Sequence, residues 1–158
     1  MNASPLLARH LDSLSAADRV LDLACGRGRN GLYLLRRGIP VVFADRNPEA
    51  LQSIRESLAQ AEYRAEAEQA EFWQVDFERA GEEPLGRKQF GAILVFRYLH
   101  RPLFPAIRQA VSPGGLLVYE TFTREQAQLG RPKNPDFLLE AGELAQCFPD
   151  WQILHRFE

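Results

Sequence analysis

Apolar positions along this chain switch between two periods. Short continuous apolar runs bounded by glycine, proline or acidic residues read as strands buried on both faces, whereas apolar residues recurring every three or four positions read as helices. The runs at residues 19–25, 40–45, 71–76, 90–96 and 116–122 predict five strands, and 151–157 predicts a last one. Between them lie helical patterns. Leu6, Leu7, Leu11 and Leu14 predict an amphipathic helix over 5–13, and residues 31–37 predict a second that stops at Gly38. Asn47 and Pro48 supply an N-cap and a first-turn proline for a helix whose apolar positions are Leu51, Ile54 and Leu58. Residues 102–111 and 136–147 predict two more, and the Ala-, Glu- and Gln-rich stretch 59–70 reads as a solvated helical extension or a mobile loop.

Strands separated by helices predict an α/β fold, a doubly wound and mostly parallel sheet, because parallel neighbours need a long right-handed crossover. Ligands of such sheets bind beyond the carboxyl ends of the strands, where strand order reverses. The chemistry is therefore expected just after Leu23, Asp45, Asp76 and Phe96.

With 158 residues and 46% apolar content, residues 1–158 read as a single domain. A formal net charge of −2 announces no polyanion-binding surface, so nucleic acid is an unsupported partner. The N-terminal leucines are interrupted by Arg9, His10 and Asp12, which argues against a signal peptide or membrane span and for a cytoplasmic protein. Cys25 and Cys147 are far apart and read as reduced thiols, with no metal site implied.

Gly26 to Gly31 spells G-x-G-x-x-G, the pattern of dinucleotide-binding domains, so an NAD-dependent oxidoreductase has to be weighed. In that arrangement a helix N-terminus faces an anionic pyrophosphate. Here Asp22 closes the first strand, where a carboxylate would repel a pyrophosphate and favour a cationic ligand. Gly26 and Gly28 let a bulky ligand approach the backbone, and Asp45 at the end of the second strand suits the hydroxyls of a ribose. Asp76 and Phe77, a carboxylate beside an aromatic ring, suit an adenine amino group and an adenine face.

Acids ending three successive strands, with the turn Asp22-Leu-Ala-Cys-Gly-Arg-Gly-Arg-Asn30 and the later Ser112-Pro-Gly-Gly-Leu-Leu-Val-Tyr-Glu120, resemble the class I S-adenosylmethionine-dependent methyltransferases, a Rossmann-like fold. The Glu120-Thr-Phe-Thr and Gly130–Asp136 segments are similar to the small tellurite-resistance and thiopurine types, which act mainly on small molecules. The resemblance implies S-adenosylmethionine as cofactor, held by Asp22, Ala24, Cys25, Gly26, Gly28, Asn30, Asp45, Arg46, Asp76, Phe77 and Phe96, with Ala24 standing where a glycine is common. Tyr98, His100 and Arg101, leaving the fourth strand, are the candidate acceptor-binding or catalytic groups. A thiolate or oxyanion acceptor would need no base, and Arg124, Arg131 and Lys133 would form a basic mouth for an anionic one. A phenol or amine would use His100 or Tyr98.

Family members finish with an antiparallel strand for which no residues follow 151–157. The expectation is either a truncated form or an uncovered sheet edge that invites association with a second copy, and with it a rival reading as a non-catalytic cofactor-binding or partner subunit. An RNA methyltransferase is disfavoured, since no Asn/Asp-Pro-Pro-aromatic sequence occurs.

Overall fold

The computed structural model describes residues 2–158. Five parallel strands, β1 (Val20–Leu23), β2 (Val41–Asp45), β3 (Ala70–Gln74), β4 (Phe90–Phe96) and β5 (Val111–Glu120), lie in the order β3-β2-β1-β4-β5. Two short helices, α1 (Pro5–Arg9) and α2 (Leu11–Ser15), precede them. Helix α3 (Arg29–Leu35) carries the chain from β1 to β2, and α4 (Pro48–Leu58) with α5 (Arg64–Glu68) carries it from β2 to β3. From β3 the chain returns across the sheet to pair β4 with the free side of β1, and α6 (Phe104–Ala110) leads on to β5. Strand order therefore reverses between β1 and β4, which places the ligand crevice beyond their carboxyl ends.

Side chains alternate across a strand, and here both faces are apolar because helices cover both. Leu21, Leu23, Val42, Ala44, Ile93 and Val95 point to one face, against Phe104 and Ile107 of α6. Val20, Val41, Phe43, Ala92 and Leu94 point to the other, where Leu34 and Leu35 of α3, Leu51 and Ile54 of α4, and Leu7 and Leu14 of the N-terminal helices close the layer. Asp22 shares this second face and is 4% exposed.

The ends of the elements follow local chemistry. Asn47 caps α4 by accepting the Glu49 N–H at 2.9 Å, with Pro48 at the first helical position. The predicted N-terminal helix is broken at His10, whose φ of −115° closes α1 before α2 begins. The Pro113-Gly114-Gly115 stretch lies inside β5, where the register against β4 shifts and Gly114 takes a φ of +76°. Gly115 is held there by crowding: a Cβ would stand 2.7 Å from the Ser112 carbonyl oxygen.

Two expectations fail at the C-terminal end. The helix expected over 136–147 is reduced to α8 (Glu143–Cys147), because Gly142 adopts a φ of +72° and starts a new turn; α7 (Gln126–Leu129) precedes it. The last strand expected at 151–157 does not form. Ile153, Leu154 and Phe157 are more than half exposed instead of facing the core. Apart from an isolated bridge between Thr123 and Leu139, β5 pairs only with β4 among the described residues. A groove of about 1240 Å³ runs along that edge, lined by Leu117 and Tyr119 of β5, His10, Trp151, Leu154 and Phe157. No helix among the described residues is long and apolar enough to cross a membrane.

Candidate functional site

The turn after β1 continues the sheet by one bond, from the Cys25 N–H to the Ala44 carbonyl at 2.9 Å, and then leaves it through left-handed backbone. Ala24, Gly26 and Gly28 have φ values of 53°, 55° and 75°. Arg97, directly after β4, also has a φ of 53°. The two non-glycine residues in this costly region thus follow the two strands that flank the reversal of strand order. Gly28 is required twice over, since a Cβ would also press on Ile54 and Phe43. At Gly26, by contrast, a Cβ would meet nothing within 4 Å, so the backbone there borders open space.

Asp45 ends β2 with both carboxylate oxygens engaged at the rim of that space. Oδ2 accepts the Gly26 N–H at 2.8 Å, and Oδ1 accepts the Asn47 N–H at 2.9 Å. It is partly exposed, with Arg46 beside it in solvent. Asp22 lies beneath the turn. Its Oδ2 accepts the Gly31 N–H at 3.0 Å, so the carboxylate caps the first turn of α3. Burial, against the help of that N–H and reinforced by the Asp45 charge, pushes its pKa up from 3.8 to about 7. Burial likewise holds the Cys25 thiol protonated, with Asp22 and Asp45 adding to the effect, which leaves it a packing residue rather than a nucleophile.

Asn30 serves the N-terminal segment: it is 4% exposed and its Oδ1 accepts the Ser4 N–H at 2.9 Å. The Ser4 hydroxyl donates to Glu120 at 3.2 Å, tying the start of the chain to the end of β5. Asp76 is partly exposed and accepts the Glu78 N–H at 2.9 Å. Phe77 is 7% exposed and packs edge-on to Trp73 at 5.5 Å, so its ring belongs to the core rather than standing free for an adenine. Phe96, partly buried, closes β4.

The candidates after β4 separate into two roles. Tyr98 donates its hydroxyl to Glu78 at 3.2 Å, and His100 Nδ1 lies 3.5 Å from the same carboxylate. Burial and the Glu78 charge raise the Tyr98 pKa, which keeps that phenol protonated. Arg101 turns away from them. Its Nε and Nη2 donate to Glu143 at 2.6 and 2.9 Å, and Nη2 also donates to the Leu138 carbonyl at 2.7 Å. The expectation of an acceptor-facing Arg101 is corrected accordingly, since its fork is filled by the α8 region that it braces. The basic mouth is also reduced, because Arg124 is paired with Glu140 at 2.7 Å.

Glu78 is the residue that sequence reading missed. It opens a charged loop with no periodicity, and its only local signal is the Asp-x-Glu spacing that the Asp76 turn uses.

The methyltransferase domain family matches residues 20–115, and the chain belongs to it. Its fold is that of the class I S-adenosylmethionine-dependent methyltransferases. TehB from Haemophilus influenzae superposes with a TM-score of 0.74 at 20% identity, over 96% of this chain and 52% of that one. The PH0226 protein from Pyrococcus horikoshii OT3 gives 0.58 at 26% identity, over 79% of this chain and 54% of that one. The glycopeptide N-methyltransferase MtfA complexed with sinefungin gives 0.64 at 21% identity, over 80% and 53%. The chain thus spans about half the length of these structures. No curated protein sequence matches it.

Proposed function

We propose that this protein binds S-adenosylmethionine over the turn at 24–28 and transfers its methyl group to a small-molecule acceptor. The observation that carries the reading is Asp45, whose carboxylate is fixed by the Gly26 and Asn47 N–H groups at the edge of open space beside Gly26. A carboxylate there suits two ribose hydroxyls, and with the partly exposed Asp76 it gives the crevice a negative character that a sulfonium nucleoside favours over a pyrophosphate. When bound, the cofactor supplies an electrophilic methyl whose leaving group departs neutral. What remains for the chain is to align the acceptor and exclude water. On this reading His100, with Tyr98 beside it, is the group after β4 that aligns the acceptor, since the fork of Arg101 is filled by Glu143 and the Leu138 carbonyl.

S-adenosylhomocysteine at 100 times its Kd is expected to stabilise the fold by about 2.7 kcal/mol, read as a rise in Tm, while NAD leaves the Tm unchanged. Asp45→Ala should abolish the rise. A Tm that responds to NAD and not to S-adenosylhomocysteine would overturn the assignment.

We further propose that a second copy of the chain associates along β5, which would enclose the groove and the exposed Ile153, Leu154 and Phe157.

A further inference from the structure

Glu78 joins two loops that the sequence keeps apart. It stands in the loop after β3, yet its carboxylate touches two side chains of the segment after β4: Oε2 accepts from the Tyr98 hydroxyl at 3.2 Å and Oε1 lies 3.5 Å from His100 Nδ1. Both loops are held in place. The Glu78 N–H donates to Asp76 Oδ1 at 2.9 Å, and the Tyr98 carbonyl accepts from the Tyr119 hydroxyl at 2.8 Å. The pairing of Leu23 with Val95 sets the start of the segment after β4 beside the start of the turn that follows β1.

We propose that Glu78 is a positioning residue that holds His100 in its Nδ1–H tautomer, leaving Nε2 to accept a proton from a nitrogen or oxygen acceptor that carries one. The proposal rests on the methyl-transfer reading above and deepens it. A carboxylate beside one imidazole nitrogen selects the tautomer that donates to it, which makes the other nitrogen the lone-pair site. Tyr98 cannot take this part, since its hydroxyl is spent on Glu78. In the step itself the acceptor's lone pair forms a bond to the methyl carbon and the carbon–sulfur bond breaks. That electron pair stays on sulfur as a neutral thioether, and the acceptor's proton passes to His100 Nε2. The resulting imidazolium is stabilised by Glu78. A thiolate or carboxylate acceptor brings no such proton and would leave the pair without a task, which is why the geometry points to an N–H or O–H acceptor.

The test reads the tautomer directly. Side-chain nitrogen–proton correlation spectra of 15N-histidine-labelled protein, free and with S-adenosylhomocysteine, assign His100 by its loss in His100→Gln. The wild type is expected to show a protonated Nδ1 and an unprotonated Nε2. Removing the charge in Glu78→Ala should move the tautomer ratio toward Nε2–H by about fivefold, the upper scale of a partly exposed ion contact. Glu78→Asp should restore part of the wild-type ratio, and the S-adenosylhomocysteine affinity of all variants should stay within about twofold. A wild-type spectrum dominated by Nε2–H, or an imidazole spectrum indifferent to Glu78→Ala, overturns the proposal. The free-protein spectra report on the pair even if S-adenosylhomocysteine fails to bind, a result that would instead sink the methyl-transfer reading.

Discussion

At the scale of single residues, the site is organised around Asp22, placed by strand alternation on the helix-covered face of the sheet rather than in the crevice. Its contact with Gly31 is close: a Cβ at residue 31 would lie 2.5 Å from Phe43 Cε1 and 2.7 Å from Asp22 Oδ2. Gly31→Ala is therefore expected to destabilise the protein by roughly 1–3 kcal/mol, as overpacking does, measured by urea unfolding. Asp22 also makes stability depend on pH. Its carboxyl binds a proton more tightly in the folded protein, at about 7, than its ordinary value of 3.8 in the unfolded chain. The stability it contributes by binding that proton is thus fully present below 3.8, erodes as pH rises toward 7, and is lost above. Asp22→Asn keeps an acceptor for the Gly31 N–H without the charge, so it should raise stability at pH 8 by on the order of a few kcal/mol and by clearly less at pH 5. Equal effects at the two pH values would show that the buried charge is not the cause.

Among the elements, α8 and the loop before it depend on Arg101. The segment from 135 to 147 has little regular structure, yet it is gathered on one guanidinium by Glu143 and the carbonyls of Pro135, Asp136 and Leu138. The Glu143 pKa is lowered and the Arg101 pKa raised, each chiefly by their shared hydrogen bonds. Both side chains are partly exposed, which screens the pair. Arg101→Ala is accordingly expected to cost about 1–2 kcal/mol globally, but to speed amide exchange most strongly in 135–147. The crevice end of β1, held by separate bonds, should keep its protection. Uniform loss across the sheet would contradict a local brace.

Across the described residues as a whole, the open side of the sheet is β5. An unpaired edge strand beside exposed apolar residues favours pairing with another chain, and an isologous contact along β5 would satisfy it. Sedimentation velocity should show a monomer–dimer equilibrium that shifts with concentration, and Leu117→Lys in the groove should move it to monomer by at least about tenfold in Kd. A monomer at all concentrations would leave the edge exposed as it stands.

Local chemistry already determined much of this protein. The five strands and helices α3, α4 and α6 were legible because an apolar run flanked by Gly, Pro or Asp has few alternatives, and Asp45 could be placed because it ends such a run. Tertiary structure decided what depends on contacts between distant segments. Whether residues 151–157 would pair, whether Arg101 would face the crevice or Glu143, and whether Glu78 would meet His100 across the ends of β3 and β4 have no local signature. Strand propensity is realised only where an edge and a core accept it. Side-chain partners that lie tens of residues apart are chosen by the order of strands in the sheet, which the pattern of apolar residues does not encode.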